Sequence, residues 1–151
     1  MTVRLHLLRF TIDDVRYGVD IDCVAEVAPR VLLTELPGAQ DFVEGLFSYQ
    51  GKLCVAVSLR QRLGHPSRAP ALSDHIVVVR GRRRLLGLVV DRVTDDARVA
   101  AREIEATTEG SRHIKGVLPL GDGLLLIQDV DAMLTDEEER ALDESIAGTN
   151  T

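Results

Sequence analysis

The stretch Tyr17-Gly18-Val19-Asp20-Ile21-Asp22-Cys23-Val24 recurs without gaps as Leu86-Gly87-Leu88-Val89-Val90-Asp91-Arg92-Val93. In each copy an apolar residue and a glycine lead an apolar strand that ends with Asp and, two residues later, Val. A second pair matches in the same order and at nearly the same offset, Val43-Glu44-Gly45-Leu46-Phe47 against Ile114-Lys115-Gly116-Val117-Leu118. Two ordered matches favour an internal duplication over chance similarity of short apolar strings.

Short runs rich in β-branched residues, separated by turn signals, surround these repeats. They predict strands at residues 3–12, 16–20, 31–36, 46–49, 53–57, 75–79, 85–90, 93–99, 114–118 and 124–127. A slip in the apolar alternation of the first run indicates a β-bulge or bend, and Asp20–Val27 is consistent with one helical turn capped by Asp20. Each unit then has about five strands, and so small a unit closes best as a barrel, because closure removes exposed sheet edges.

The order of these segments predicts one domain over residues 1–147. We expect barrel subdomain 1 at about 14–71, with the N-terminal strand free to cross to the other barrel, and barrel subdomain 2 at about 72–128. Pro66 and Pro70 mark a linker between them. A C-terminal helical segment is expected at 129–147, because Thr135-Asp136-Glu137-Glu138 has the form of a capping box. Residues 148–151 are expected to fray.

Composition narrows the functional classes. The 151 residues are 45% hydrophobic and 28% charged, with a net charge of −6 and only five aromatic side chains. A chain of this size can build a core without metal or disulfide, and its acidity argues against nucleic-acid binding. The N-terminus lacks the pattern of a signal peptide, and no apolar run approaches a membrane span. We therefore expect a cytoplasmic protein with free thiols at Cys23 and Cys54 and no direct membrane insertion.

Motifs for catalysis or for metal, cofactor or phosphate binding are missing from the sequence. The histidines are scattered, and no Gly-x-Ser-x-Gly or Cys-x-x-Cys occurs. Adjacent carboxylates such as Asp95-Asp96 point to opposite faces of a strand, and the Arg80–Arg84 cluster suits a solvated hairpin tip. We predict no catalytic residues, no metal and no cofactor. A small-ligand sensor or a cryptic enzyme stays an alternative, and it would require His75, His113 or Cys54 to share a closed pocket.

A binding role is the interpretation that these exclusions leave. Two barrels joined by a linker create a groove, and apolar rims of such a groove can receive a helix from a partner. The candidate positions are Ile21, Val24, Val27, Val89 and the turn around Gln50. For any single valine, a plain role in the core is an open alternative.

Ordered motifs along the chain resemble those of CheW-like domains of bacterial chemotaxis systems. They include Tyr17-Gly18-Val19-Asp20-Ile21, Leu36-Pro37-Gly38, Gly51–Arg60, Leu86–Asp91 and Asp122–Ile127, and the resemblance spans roughly residues 5 to 135. It implies a mostly β fold of two five-stranded SH3-like barrels packed together, with a C-terminal α-helix. This expectation agrees with the duplication inferred from the repeats.

The resemblance also implies a function, that of a non-catalytic adaptor in chemosensory signal transduction. Such a scaffold would couple the cytoplasmic hairpin of a methyl-accepting chemoreceptor to the regulatory domain of a CheA-type histidine kinase, at membrane-associated receptor arrays. Carried over by position, two sets of residues are expected to contact these partners. The receptor-binding set is Ile21, Val24, Gln50, His75, Ile76 and Val89, and the kinase-binding set is Glu26, Thr34 and Gly45.

The chain departs from the family pattern at three positions. Gln50 stands where the family usually has Arg, and an uncharged amide cannot replace a cation with a forked set of donors. Ser58 stands where Asp is usual, and Asp96 replaces a residue that is typically apolar. A specialised adaptor that binds only one of the two partners, as a modulator or competitor, is therefore a second expectation.

Overall fold

The computed structural model describes residues 3–106 and 113–149. It contains ten strands: β1 Arg4–Ile12, β2 Val15–Asp20, β3 Val24–Pro29, β4 Val43–Tyr49, β5 Lys52–Ser58, β6 His75–Arg80, β7 Leu85–Val90, β8 Arg92–Ala100, β9 Ile114–Leu120 and β10 Gly123–Gln128. The α-helices are α1, Leu59–Arg62, and α2, Asp136–Thr149. Short 3₁₀ helices occupy Ile21–Cys23, Ala101–Glu103 and Val130–Ala132.

The strands form two five-stranded sheets, which confirms the predicted fold class. Sheet A has the order β8-β1-β2-β10-β9, and sheet B has the order β3-β6-β7-β5-β4. The N-terminal strand crosses to the other unit, as the expectation allowed, but β2, β6 and β7 do not follow the expected bounds of 14–71 and 72–128. Hairpin β1–β2 pairs with strands of the second half, and β6–β7 pairs with strands of the first half. The repeats show which strands of the two halves are equivalent. Because equivalent strands have similar apolar patterns, the sequence does not show whether a hairpin pairs with strands of its own half or of the other half.

The pairing register confirms that the two sheets are copies of one unit. β2 and β7 occupy the same place, each antiparallel to one neighbour and parallel to the other. Arg9 pairs with Gly18 in sheet A, and Val78 pairs with Gly87 in sheet B. The irregularities correspond as well, because each register shift leaves one residue without a pairing partner, Thr94 in β8 and its counterpart Ala25 in β3.

Three clusters of apolar side chains stabilise the two sheets. The main core lies between them and contains alternate residues of the central strands, such as Phe10 and Val19 from sheet A and Val77 and Leu88 from sheet B. Leu142 of α2 packs into this core. A smaller cluster lies on the far face of each sheet, and its burial requires each sheet to curl around it. We call these curled units barrel A and barrel B.

The structure contains some of the local features that the sequence predicts and differs in others. The capping box is present, since the Glu138 amide donates to Thr135 Oγ1 at 3.0 Å and the Thr135 amide donates to Glu138 Oε1 at 2.8 Å. The helical turn after Asp20 ends at Cys23, and Val24 already begins β3. Residues 31–36 form no strand, only a bridge from Thr34 to Leu46. The bulge belongs to β8 rather than β1, because consecutive residues of β1 point into two different cores.

The C-terminal tail begins later than expected. Helix α2 continues through Gly148 to Thr149, so the first part of the predicted frayed segment, 148–151, is helical. Residues 150 and 151 lie outside the described part of the chain.

Candidate partner-binding surface

One end of the seam between the sheets is formed where β2 gives way to β3. Asp20 caps the short helix Ile21–Cys23, because its Oδ1 accepts a hydrogen bond from the Asp22 amide at 3.0 Å. The cap turns the chain sharply from sheet A into sheet B, where Val24 pairs with Val79. Ile21 and Val24 are both half-buried, and Val24 packs against the main core. These two predicted receptor contacts therefore lie side by side at the seam.

A groove of about 360 Å³ opens at this end of the seam. Arg82, from the β6–β7 turn, lines one side, and the segment after β10 lines the other with Asp129, Asp131, Ala132, Leu134, Thr135 and Asp136. Arg82 is paired with Asp136 across the groove. Arg80, on the same turn as Arg82, reaches the Val24 carbonyl at 3.5 Å. The lining of this groove is mainly acidic, and it includes none of the residues expected at the apolar rims of a groove between the two units.

Gln50 lies at the same end of sheet B as Val24. It occupies the β4–β5 turn with φ 49°, followed by Gly51 with φ 77°, and both angles suit a tight two-residue hairpin. Because β5 runs parallel to β7, this turn lies beside the β6–β7 turn. The Gln50 side chain is exposed. Ile21, Val24 and Gln50 therefore share one end of the molecule.

The other three predicted receptor contacts lie at the opposite end. His75 begins β6, four residues before the partner of Val24, which corresponds to about 13 Å along the strand. Ile76 is fully buried, and Val89 beside it is buried as well, both in the interior cluster of barrel B. As surface contacts Ile76 and Val89 are wrong, because their side chains fill the core. Only half-buried His75 reaches the surface from this set.

The predicted kinase contacts lie on the edges of sheet B. Glu26 in β3 and Gly45 in β4 belong to one cross-strand row, Glu26–Val78–Gly87–Ala56–Gly45. Thr34 bridges to Leu46 immediately beside Gly45. Gly45 has φ 152°, and a Cβ on it would lie 2.7 Å from the Thr34 carbonyl oxygen. This glycine therefore allows the loop to approach β4, while Glu26 and Thr34 are exposed.

An ionic clamp that the sequence did not reveal closes the other end of the seam. Arg60 of α1 donates to both carboxyl oxygens of Asp13, in the β1–β2 turn, and to both of Asp91, which follows β7. Arg68 of the linker continues the clamp from Asp91 to Asp74, at 2.7 and 2.6 Å. Arg60 thereby joins sheet A to sheet B. The signal in the sequence was Arg60 itself, at the end of the segment Gly51–Arg60 that resembles CheW-like domains.

The clamp shifts the acidity of its members. The hydrogen bond from Arg60 lowers the pKa of Asp13. Burial alone would raise the pKa of Asp91, but hydrogen bonds from the Asp13 amide, Arg60 and Arg68 outweigh it and lower that pKa. Hydrogen bonding to Asp13 raises the pKa of Arg60 in turn. All three groups are therefore held in their charged forms.

The arginine-rich turn is not the solvated tip that the sequence predicted. Arg84 is largely buried and bonds Glu139 at 2.6 Å and also Asp143, while Arg83 pairs with Asp143 at 3.2 Å. These carboxylates belong to α2, which the turn thus fastens to the sheets. Burial opposes the charge on Arg84, but hydrogen bonds to Asp143 and Glu139 raise its pKa nonetheless. The arginines of this turn therefore bind carboxylates within the protein and do not form a free anion-binding patch.

The groups required by the small-ligand alternative do not converge. Cys54 lies in β5 of barrel B, whereas His113 lies beside β9 of sheet A and contacts the Ala132 carbonyl. Burial raises the pKa of Cys54 to about 12, and burial followed by the Asp20 charge raises that of Cys23. Such thiols are poor nucleophiles. Within residues 3–106 and 113–149, no three metal-ligating side chains cluster.

No helix in the described part of the chain is long and apolar enough to span a membrane.

Comparisons with known proteins agree with this architecture. The sequence profile of the CheW-like domain matches residues 6–138. The chain is 26% identical to the chemotaxis protein CheW of Klebsiella aerogenes over 147 residues, which cover 94% of this chain and 89% of that protein. It is 27% identical to the chemotaxis protein CheW of Rhizobium meliloti over 140 residues, with 89% and 90% coverage.

A solved structure has the same fold. The crystal structure of the scaffolding protein TtCheW from Thermoanaerobacter tengcongensis superposes with a TM-score of 0.82 at 22% identity, covering 91% of this chain and 92% of that one.

Proposed function

The chain belongs to the CheW-like domain family, and from that membership we propose that it is a non-catalytic chemosensory adaptor that couples the cytoplasmic hairpin of a chemoreceptor to the regulatory domain of a histidine autokinase. The observation that carries the proposal is the match of the family profile to nearly the whole chain, residues 6–138. The related proteins that match it over about nine-tenths of its length are named as chemotaxis proteins. The adaptor would work in the cytoplasm, beside membrane-associated receptor arrays.

The receptor would dock at the end of the seam that carries Ile21, Val24 and Gln50. The two apolar side chains are half-buried, and the acidic groove opens at the same end of the molecule. The acidic lining of that groove favours a partner with basic groups beside its apolar contacts, because opposite charges steer and orient association. Ile76 and Val89 are not part of this surface, because they lie in the interior of barrel B at the other end of the sheet.

The kinase would dock on the edge strands of sheet B. Glu26 is exposed on β3, and Thr34 is exposed beside β4, so both are available to a partner. The edge strand β3 offers outer backbone groups that a matching barrel can pair with, whereas β4 is already bridged to Thr34 at Leu46. Gly45 supports this surface by letting the Thr34 loop pack closely.

A narrower function, binding to only one partner, is favoured by one observation. Gln50 is exposed at the tip of the β4–β5 turn and carries no charge, where the family usually has Arg. A cation there can bond a carboxylate with a fork of donors, and the amide can offer only neutral hydrogen bonds. Of the two partner interactions, binding to the receptor is therefore the one that we expect Gln50 to weaken.

Titration of the purified chain against each partner separately tests both forms of the proposal. The probes are a receptor hairpin and a kinase regulatory domain from the same genome, and binding is measured by calorimetry. We expect dissociation constants of about micromolar size, as for small interfaces with few strong contacts. Failure to bind either probe would refute the adaptor function, while binding to only one identifies the modulator or competitor.

Two matched substitutions then locate the receptor surface. Val24→Asp should weaken receptor binding at least tenfold without changing kinase binding, and Leu124→Asp, at the far end of sheet A, should change neither. Because Val24 also packs on the core, thermal unfolding is measured for each variant, and Val24→Thr provides a milder second change. Unchanged receptor binding by a folded Val24→Asp or Val24→Thr protein contradicts the assigned surface.

A further inference from the structure

The interior of barrel A opens to solvent at the end that carries the β1–β2 and β9–β10 turns. The opening is a cavity of about 230 Å³, and its lining consists of Phe10 together with Arg9, Thr11, Arg16, Thr94, Asp95 and Leu125. Alternate residues of β1 point into this barrel, so Arg9 and Thr11 continue the row begun by buried Leu7. Arg16 lies directly opposite Thr11. The apolar interior of the barrel therefore ends in a polar chamber.

Barrel B supplies an internal comparison for these positions, and at four of them it has an apolar residue of its interior. The register places Val78 where barrel A has Arg9, Leu85 where it has Arg16, Ala25 where it has Thr94, and Cys54 where it has Leu125. All four counterparts belong to the apolar cluster inside barrel B. At two other positions, exposed Arg80 stands where barrel A has Thr11, and exposed Glu26 stands where it has Asp95. Four of the backbone sites thus belong to a packed core in barrel B and line a cavity with two guanidinium groups in barrel A.

The difference in packing has an identifiable source. In barrel B the Phe47 ring lies against Gly87, so close that a Cβ on Gly87 would be 2.7 Å from the ring. The counterpart of Phe47 in barrel A is Leu118, by the pairing of Phe47 with Cys54 and of Leu118 with Leu125. A leucine side chain is smaller than a phenyl ring, and the interior beside Gly18 is correspondingly less crowded than that beside Gly87.

The charges around the cavity are only partly matched. Arg9 donates to Asp95 through Nε at 2.7 Å and also through Nη2, and Asp95 is itself part of the lining. Arg16 instead bonds Asp122, at 2.9 Å to its carboxylate and 3.0 Å to its carbonyl. Asp122 lies outside the cavity on the β9–β10 turn and is 79% exposed. The lining itself thus carries two cations and one anion.

We propose that this cavity is a binding site for a small organic anion whose carboxylate or phosphate group replaces Asp122 as the partner of Arg16. The guanidinium fork suits an oxyanion of either kind, the Thr11 hydroxyl lies opposite it, and Leu125 provides an apolar wall. Since a water molecule takes about 30 Å³ of liquid, the cavity has room for a ligand of about eight heavy atoms. The site lies at the end of sheet A away from Ile21 and Val24, so it is separate from the receptor surface.

The exposed pair between Arg16 and Asp122 makes exchange possible. Solvent-exposed ion pairs contribute little to stability, so an incoming anion has a weak competitor. Gly123 contributes as well, because the guanidinium of Arg16 approaches within 3.1 Å of the place where its Cβ would be. The turn therefore holds Arg16 over the mouth of the barrel without covering it.

Calorimetric titration of the full chain with succinate, inorganic phosphate and neutral succinamide tests the proposal. We expect succinate or phosphate to bind with a dissociation constant of about 1 mM or tighter and succinamide at least tenfold more weakly. A preference between succinate and phosphate distinguishes the two oxyanion sources. Absence of saturable binding by both anions would overturn the site.

Three variants keep the test independent of folding. Arg16→Gln should weaken anion binding at least tenfold through the lost charge-assisted bonds, whereas Asp122→Asn should strengthen it about two- to fivefold because the internal competitor is gone. Arg98→Gln, exposed on β8, is the control with unchanged binding. An Asp122→Asn protein that binds more weakly than wild type, or an Arg16→Gln protein that binds equally well, rules the proposal out.

Discussion

The two equivalent glycines of the repeat, Gly87 and Gly18, should respond very differently to alanine. A Cβ on Gly87 would lie 2.7 and 2.8 Å from carbons of the Phe47 ring and 2.9 Å from Ile76 Cγ2. A Cβ on Gly18 would meet Leu125 Cδ2 at 3.3 Å and nothing else nearer than 3.7 Å. Neither residue has a positive φ. The contrast is therefore one of packing alone.

The magnitudes follow from two opposing effects. Overpacking a filled core costs about 1–3 kcal/mol, while replacing a strand glycine by alanine stabilises by about 0.5–1 kcal/mol. Gly87→Ala should therefore lower the free energy of unfolding by about 1–2 kcal/mol, which corresponds to about 3–7 °C in Tm. In Gly18→Ala, Leu125 has the neighbouring cavity to move into, so the change should stay within about 0.5 kcal/mol.

Urea unfolding followed by circular dichroism measures both variants against wild type, with calorimetry for Tm. The slope of the unfolding free energy against urea should not change, because both proteins retain the native fold. Equal losses in the two variants, or the larger loss in Gly18→Ala, would show that barrel A is packed as tightly as barrel B. That result would also remove the packing argument for the cavity.

Three further changes test other parts of the molecule. Gln50→Arg should strengthen receptor binding severalfold in calorimetry, since it restores the family's cation at an exposed site, and unchanged affinity would show that Gln50 is outside the interface. Arg60→Met should lower stability at pH 7 by about 2–3 kcal/mol. The folded state lowers the pKa values of Asp13 and Asp91, so these carboxylates stabilise the fold above the pKa values they have in the unfolded chain and lose this effect as the pH falls. Arg60→Met should therefore also reduce the pH dependence of the unfolding free energy below a pH of about 4. Leu142→Ala, in the main core, should cost about 3 kcal/mol, and a cost below 1 would mean that α2 packs loosely.

The sequence predicted the elements well because their signals are local. Strand alternation, the Gln50-Gly51 hairpin and the capping box at Thr135 each depend on residues close together in the chain. Local signals also explain the wrong prediction of a strand at 31–36. These residues have the apolar pattern of a strand, but they pair with a strand only through the bridge at Thr34. A local pattern describes a candidate strand, but pairing decides whether one forms.

The site was harder to predict because it depends on which strands meet. Ile76 and Val89 look like groove residues in a list of apolar positions, but both belong to the face of sheet B that closes into a barrel core. The clamp at Arg60 was hidden for a similar reason. Its acidic partners Asp13 and Asp91 are 47 and 31 residues away along the chain, and no spacing rule connects them.

The exchange of hairpins gives the duplication a mechanical consequence for an adaptor. Sheet A needs β8 to β10 from the second copy, and sheet B needs β3 to β5 from the first, so neither sheet is complete within one copy. The end of the seam at Val24 and the edges of sheet B are therefore parts of one interlocked unit. A partner bound at one of these proposed surfaces would be held in a fixed relation to a partner at the other, without a flexible joint between them. The two sheets share their strand arrangement but not their side chains, so barrel B has a packed core at positions where barrel A has Arg9 and Arg16.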